Sequence, residues 1–120
     1  MINLIAPVMI WAGLGAGALA AGADPAGIGL QQVHYDIAVA DYCGLIDQPV
    51  AIGYFLLHHD LLARGNVAPE DDQAARLAAI AAADLEYFDR GLSGQKNWCR
   101  TEGAAAVGRF TSYFQRRQLP

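Results

Sequence analysis

A chain of 120 residues with a formal charge of −4 and two cysteines holds at most one domain, and its mild acidity argues against general nucleic-acid binding. It is too short to bury a large core, so a covalent staple is expected to supplement apolar packing.

The first segment has a composition of its own. From Ile2 to Ala23 there is no charged side chain, and two A-x-A patterns follow one another, Ala18-Leu19-Ala20 and Ala21-Gly22-Ala23. This is the pattern of a secretory signal, with cleavage expected after Ala23. No Lys or Arg precedes the apolar run, and its length approaches the roughly 20 residues that span a bilayer. Retention as a membrane anchor is therefore the alternative, and it is the only route by which this chain would meet a membrane. Gly13, Gly15 and Gly17 are framed by no strand pattern, so they do not form a nucleotide loop. Residues 24–29 read as a flexible lead, and 30–117 as a helical domain.

Leu30, Val33, Ile37 and Ala40 recur at spacings of three or four, which predicts a helix over 29–43. Gly44 is its left-handed stop and Leu45 the folded-back contact. Asp47 then caps a second helix over 48–64, with Pro49 in the first turn, where a missing N–H costs nothing. That helix, "VAIGYFLLHHDLLAR", is apolar almost all round and should be central. A third helix over 69–90 opens on Pro69, Glu70, Asp71 and Asp72, where acids complement the positive end of the helix dipole. Leu77, Ile80, Leu85 and Phe88 are its expected apolar contacts, the stretch "AAIAAAD" offers a smooth, small-residue surface for tight packing, and Gly91 is its stop. Ser93 is the expected cap of a last helix over 94–117, with Cys99, Gly103, Ala106, Phe110, Tyr113 and Phe114 inward. Gly103 and Gly108 each cost about 1 kcal/mol in a helix, which suggests close helix approach. No period-two alternation occurs, so the predicted fold is all-α: a compact bundle of about four helices with antiparallel neighbours, preceded by the signal helix.

An export signal together with two cysteines favours a Cys43–Cys99 disulfide. Thiol catalysis by Cys99 would need a base and a lowered pKa, and no C-x-x-C motif accompanies it. A zinc site would need further ligands from His34, His58 or His59, at no recognised spacing. The expectation is therefore no cofactor, no metal site and no catalytic set.

The segment His58-His59-Asp60 is the most tempting catalytic stretch. Adjacent helical residues point about 100° apart, however, so the two histidines cannot share an ion in the i, i+4 manner. One packed and one solvated histidine is the simpler expectation. His59-Asp60 resembles the His-Asp pair of secreted phospholipases A2, but that resemblance covers two residues and the glycine-rich calcium loop is missing. Asp84, Glu86 and Asp89 are expected to pair with Arg90 and the basic last helix; oxygen ligation of calcium is the alternative.

Charge is segregated along the chain. Between Asp24 and Asp89 eleven acids accompany only Arg64 and Arg76, whereas Arg90, Lys96, Arg100, Arg109, Arg116 and Arg117 accompany Glu102 alone. Intramolecular pairing is one use of this segregation. A partner-binding face built from Arg109, Tyr113, Arg116 and Arg117 is the other.

The phrases "YCGLI" (Tyr42 to Ile46), "RGLSG" (Arg90 to Gly94) and "WCRTEG" (Trp98 to Gly103), followed by Arg109-Phe110, resemble small exported helical proteins of alphaproteobacteria in which Y-C-G-L and W-C-x-x-E-G segments recur. The resemblance spans about residues 33 to 114. It implies the same cysteine pairing and carries over no activity. The expectation is thus a non-enzymatic, periplasmic or secreted helical domain that binds or accompanies an envelope protein. Two further expectations are an acid-stress chaperone that opens at low pH while cross-linked, and a small hydrolase or metal-dependent enzyme using His58, His59 and Asp60.

Overall fold

The computed structural model describes residues 28–120; the expected signal at 1–23 and most of the lead at 24–29 lie outside the described residues. Five α-helices follow: α1 (Leu30–Tyr42), α2 (Gln48–Gly65), α3 (Pro69–Asp89), α4 (Gly91–Trp98) and α5 (Ala104–Arg116). A single π-helical turn, Cys99–Gly103, joins α4 to α5 without a break, so the last three elements run as one interrupted helix. No β-strand is present among the described residues.

The helix ends obey local chemistry. Asp47 accepts a hydrogen bond from the Val50 amide at 3.0 Å, and Pro49 occupies the first turn of α2. At the end of α1, Gly44 takes a φ of +65°, which lets the Leu45 amide reach the Ala40 carbonyl at 2.8 Å and its own amide reach Asp41 at 3.1 Å. These paired bonds satisfy carbonyls that a helix end leaves open. Asn66 does the same for α2 with a φ of 48°. Gly91 also turns left-handed, yet the helix resumes there at once. Ser93 therefore lies inside α4, where the start of the last helix was expected.

Packing joins elements that are distant in sequence. α1 lies chiefly along α3, and α2 along α5, instead of each helix meeting its successor. The core gathers Val33 and Ala40 of α1, Val50, Leu57 and Leu61 of α2, and Phe110 and Tyr113 of α5. α2 and α5 approach so closely at Gly53 that a Cβ there would stand 2.0 Å from the Phe110 carbonyl oxygen. Gly103 serves the π-turn in the same way: a Cβ would sit 3.1 Å from Leu45 Cδ1 and 3.3 Å from Cys43 Sγ. Gly108, by contrast, faces open space, so close approach does not explain it.

Cys43 and Cys99 form a disulfide with their Cα atoms 5.5 Å apart. It ties the end of α1 to the π-turn. Such bonds persist in oxidising surroundings, and the pairing is consistent with a location outside the reducing cytosol. No described helix is long and apolar enough to cross a membrane.

α3 departs most from expectation. Its buried residues are Ala79 and Ala83, whereas Leu77, Ile80, Leu85 and Phe88 are exposed. Small side chains permit α1 to lie close, and that choice turns the large ones outward.

Candidate functional site

The polar residues with the most specific surroundings meet where α1, α2 and α3 converge. His34 is buried at 1 % exposure although it is a polar residue on a core-facing helix. It sits beside Val33 on the packed side of α1. His58 follows core residue Leu57 on α2, one step round the helix, and is partly buried. Asp72 projects from the first turn of α3, where the helix dipole favours a carboxylate.

His34 Nε2 lies 2.8 Å from Asp72 Oδ1. His58 Nε2 lies 2.9 Å from the same oxygen and 3.1 Å from Oδ2. On its other side, His34 Nδ1 is 3.1 Å from the Tyr54 hydroxyl, which receives Arg76 Nη2 at 3.2 Å. One assignment satisfies all of these contacts with neutral rings. Both Nε2–H groups donate to Asp72, Tyr54 donates to His34 Nδ1, and Arg76 donates to Tyr54. The rings are held from the sides as well: Tyr54 stacks on His58 with planes 2° apart and stands edge-on to His34 and Phe110.

Burial pushes the His34 pKa below the ordinary histidine value, against the opposing pull of the Asp72 hydrogen bond. Burial also pushes Asp72 upward, but hydrogen bonds from His34 and His58 outweigh it and leave the carboxyl below its usual range. The junction thus favours a neutral His34 imidazole facing an ionised Asp72 carboxylate.

The three side chains of the His58-His59-Asp60 segment do not converge on one point. His58 faces this junction, His59 is 69 % exposed, and Asp60 turns toward α5. There Asp60 accepts the Tyr113 hydroxyl and Arg117 Nη2, the latter at 3.1 Å. Residues 58 to 60 occupy successive helical positions and are fanned around α2 accordingly.

The expected basic partner face is likewise drawn into intramolecular contacts. Arg109 holds the buried Asp36 with two bonds, Nε to Oδ2 at 2.7 Å and Nη2 to Oδ1 at 2.9 Å. Tyr113 is a core residue at 1 % exposure. Arg116 donates to Ser112 Oγ at 2.6 Å, and Arg117 leans over the Tyr113 ring while holding Asp60. Of the four residues, only Arg116 and Arg117 are exposed, and each already has a partner within the chain.

Of the acids at the end of α3, Asp84 and Glu86 are paired with different partners. Tyr42 donates to Asp84, Tyr35 donates to Glu86 at 2.8 Å, and Arg90 reaches Glu86 at 3.1 Å. The hydrogen bond to Asp84 is the main influence raising the Tyr42 pKa to about 12. For Tyr35 burial comes first and the Glu86 bond second, with the same result of about 12.

His34 and Asp72 were not expected as partners of His58. Their separations of 24 and 14 residues from it correspond to no motif. His34 stands next to the inward Val33, but Asp72 lies on the side of its helix opposite Leu77 and Phe88, so the apolar pattern gave no signal for the pair. No protein-family model matches this chain, and no curated protein or solved structure matches it either.

Proposed function

We propose that this chain is an exported, non-enzymatic helical domain of the cell envelope, secreted or periplasmic, that docks a helix of another envelope protein on the outer face of α3. One observation carries the reading: α3 is apolar on two opposite sides. Ala79 and Ala83 are packed inward, while Leu77, Leu85 and Phe88 are 58 %, 66 % and 73 % exposed. Leu77 and Phe88 are separated by three turns and share one side of the helix, with Leu85 beside them. A helix that is apolar all round is ordinarily covered all round, and contiguous exposed apolar surface marks sites of interaction. An amphipathic helix laid along such a stripe would read it at i, i+3, i+4 and i+7 positions. The disulfide supports the compartment, and the A-x-A patterns at Ala18–Ala23 support export.

The test places a photoreactive residue at the exposed Leu77 in cells that make the full chain, with the exposed Gln115 of α5 as control. A discrete cross-link to one envelope protein from α3, lost in the double variant L85E/F88E and not seen from Gln115, is the expected result. Both substituted residues are exposed, so the variant should keep its stability to within about 0.5 kcal/mol. No cross-link, or a cross-link only to a second copy of the chain, overturns the reading.

A further inference from the structure

The junction of α1, α2 and α3 has a geometry that internal hydrogen bonding alone does not require. A partly buried carboxylate oxygen can be satisfied by a serine, an amide or one histidine. Here two imidazoles from two different helices aim the same ring atom, Nε2, at one oxygen of Asp72. One ligand atom from each of the three residues lies within 4.8 Å of the other two, so a modest outward shift of the carboxylate opens a position between them. We propose that His34, His58 and Asp72 form a binding site for a divalent transition-metal ion of the zinc class.

The chemistry of the donor set selects that class. Two imidazole nitrogens and one carboxylate oxygen suit zinc and its neighbours in the first transition row. They supply too few oxygens for calcium or magnesium. His58 and Asp72 are each 19 % exposed while His34 is sealed. The ion therefore sits at the edge of the core, with its remaining coordination position toward water.

The surroundings resemble the outer shell of metal sites. A ligating histidine almost always anchors its second ring nitrogen, which fixes the ring's orientation. His34 Nδ1 has the Tyr54 hydroxyl at 3.1 Å, and Arg76 fixes that hydroxyl in turn. On metal binding, the His34 proton resides on Nδ1 and is donated to the Tyr54 oxygen. The stacking of Tyr54 on His58 positions the second ring before any ion arrives. Tyr54 is thus a positioning residue for both ligands. Because the three ligands come from three helices, the ion would also link α1, α2 and α3 at the end of the molecule that the disulfide does not reach.

This inference goes beyond the docking reading and does not depend on it. The experiment is equilibrium dialysis of the full oxidised chain against Zn²⁺, with Co²⁺ as a spectroscopic substitute whose visible absorption reports nitrogen and oxygen ligation. One zinc per chain is expected. H58A should weaken binding by at least about 100-fold, and Y54F by about 10-fold, as loss of an outer-shell partner does. H59A, one residue away and exposed, should bind as the parent does. D72N retains the side-chain shape but loses the charge, and it should weaken zinc binding at least as much as Y54F. It decides the matter if H58A proves unfolded by circular dichroism. Absence of saturable binding at one ion per chain overturns the proposal. So does equal weakening by H59A and H58A, or undiminished binding by D72N.

Discussion

At the scale of single residues, the molecule puts its charges to work inside. Asp36 is buried at 1 % exposure and is tolerated because Arg109 meets it with two bonds and Gln32 adds a third at 2.8 Å. Asp60 is held by Tyr113 and Arg117 in the same spirit. Burial pushes the Asp60 pKa upward, but those hydrogen bonds exceed it and the carboxyl lies below the usual aspartate value. As pH falls, the unfolded chain takes up this proton before the folded one does. The stabilisation is therefore full above the ordinary aspartate value and is lost as pH drops through the folded one. Below about pH 4, urea midpoints of the parent should fall more steeply with acid than those of D60N. Parallel slopes in a series of urea titrations would show that this carboxyl carries no such linkage.

At the scale of elements, helices and their stops were legible because they rest on local chemistry. Asp47, Pro49, Gly44 and the acids at Glu70–Asp72 act within one turn of where they stand. What lay beyond the sequence was the choice of neighbour. The sequence offered two sides of α3 for packing, the large residues around Leu77 and Phe88 and the small-residue run that holds Ala79 and Ala83, and α1 packs on the second. Periodicity reveals that a helix has faces, and it does not reveal which face a partner helix takes when both are apolar. The π-turn was hidden for a related reason. It inserts one residue, so that the Ala104 amide bonds Cys99 five residues back, and nothing in "WCRTEG" states that register. The His34–His58–Asp72 junction was out of reach for the same cause: it exists only once three helices have chosen their contacts.

Close approach of elements also sets a stability prediction. Gly53 abuts the Phe110 backbone, not a movable side chain. G53A therefore has to push α2 and α5 apart, and overpacking of this kind costs about 1–3 kcal/mol, with the upper end expected against backbone. A lowered urea midpoint with an unchanged slope is the expected readout. G108A, where a Cβ meets nothing, should be neutral or slightly stabilising, since alanine exceeds glycine in helix propensity by about 1 kcal/mol.

At the scale of the whole molecule, one covalent bond and one small core share the task of holding the five described helices. The disulfide closes a loop across a separation of 56 residues. By the chain-entropy argument a loop of that size contributes about 4 kcal/mol, a large part of the roughly 5–15 kcal/mol typical of small domains. Reduction should lower the chemical denaturation midpoint accordingly. Tryptophan fluorescence is a suitable probe, because Trp98 is buried beside the bridge and next to Tyr42 and Tyr87. An unaltered midpoint after complete reduction would mean that the unfolded chain is already constrained without the bond.

The bridge has a topological result as well. All of α2, α3 and α4 lies between Cys43 and Cys99, whereas α5, which grips α2, lies outside that span. A protease that nicks the exposed Gly65-Asn66 corner cuts the ring but does not divide the molecule. The two halves stay tethered, α2 and α5 remain clasped, and the severed chain keeps its full mass until a reductant releases the pieces. In a compartment where peptidases are abundant and thiols scarce, a single scission would leave this protein whole.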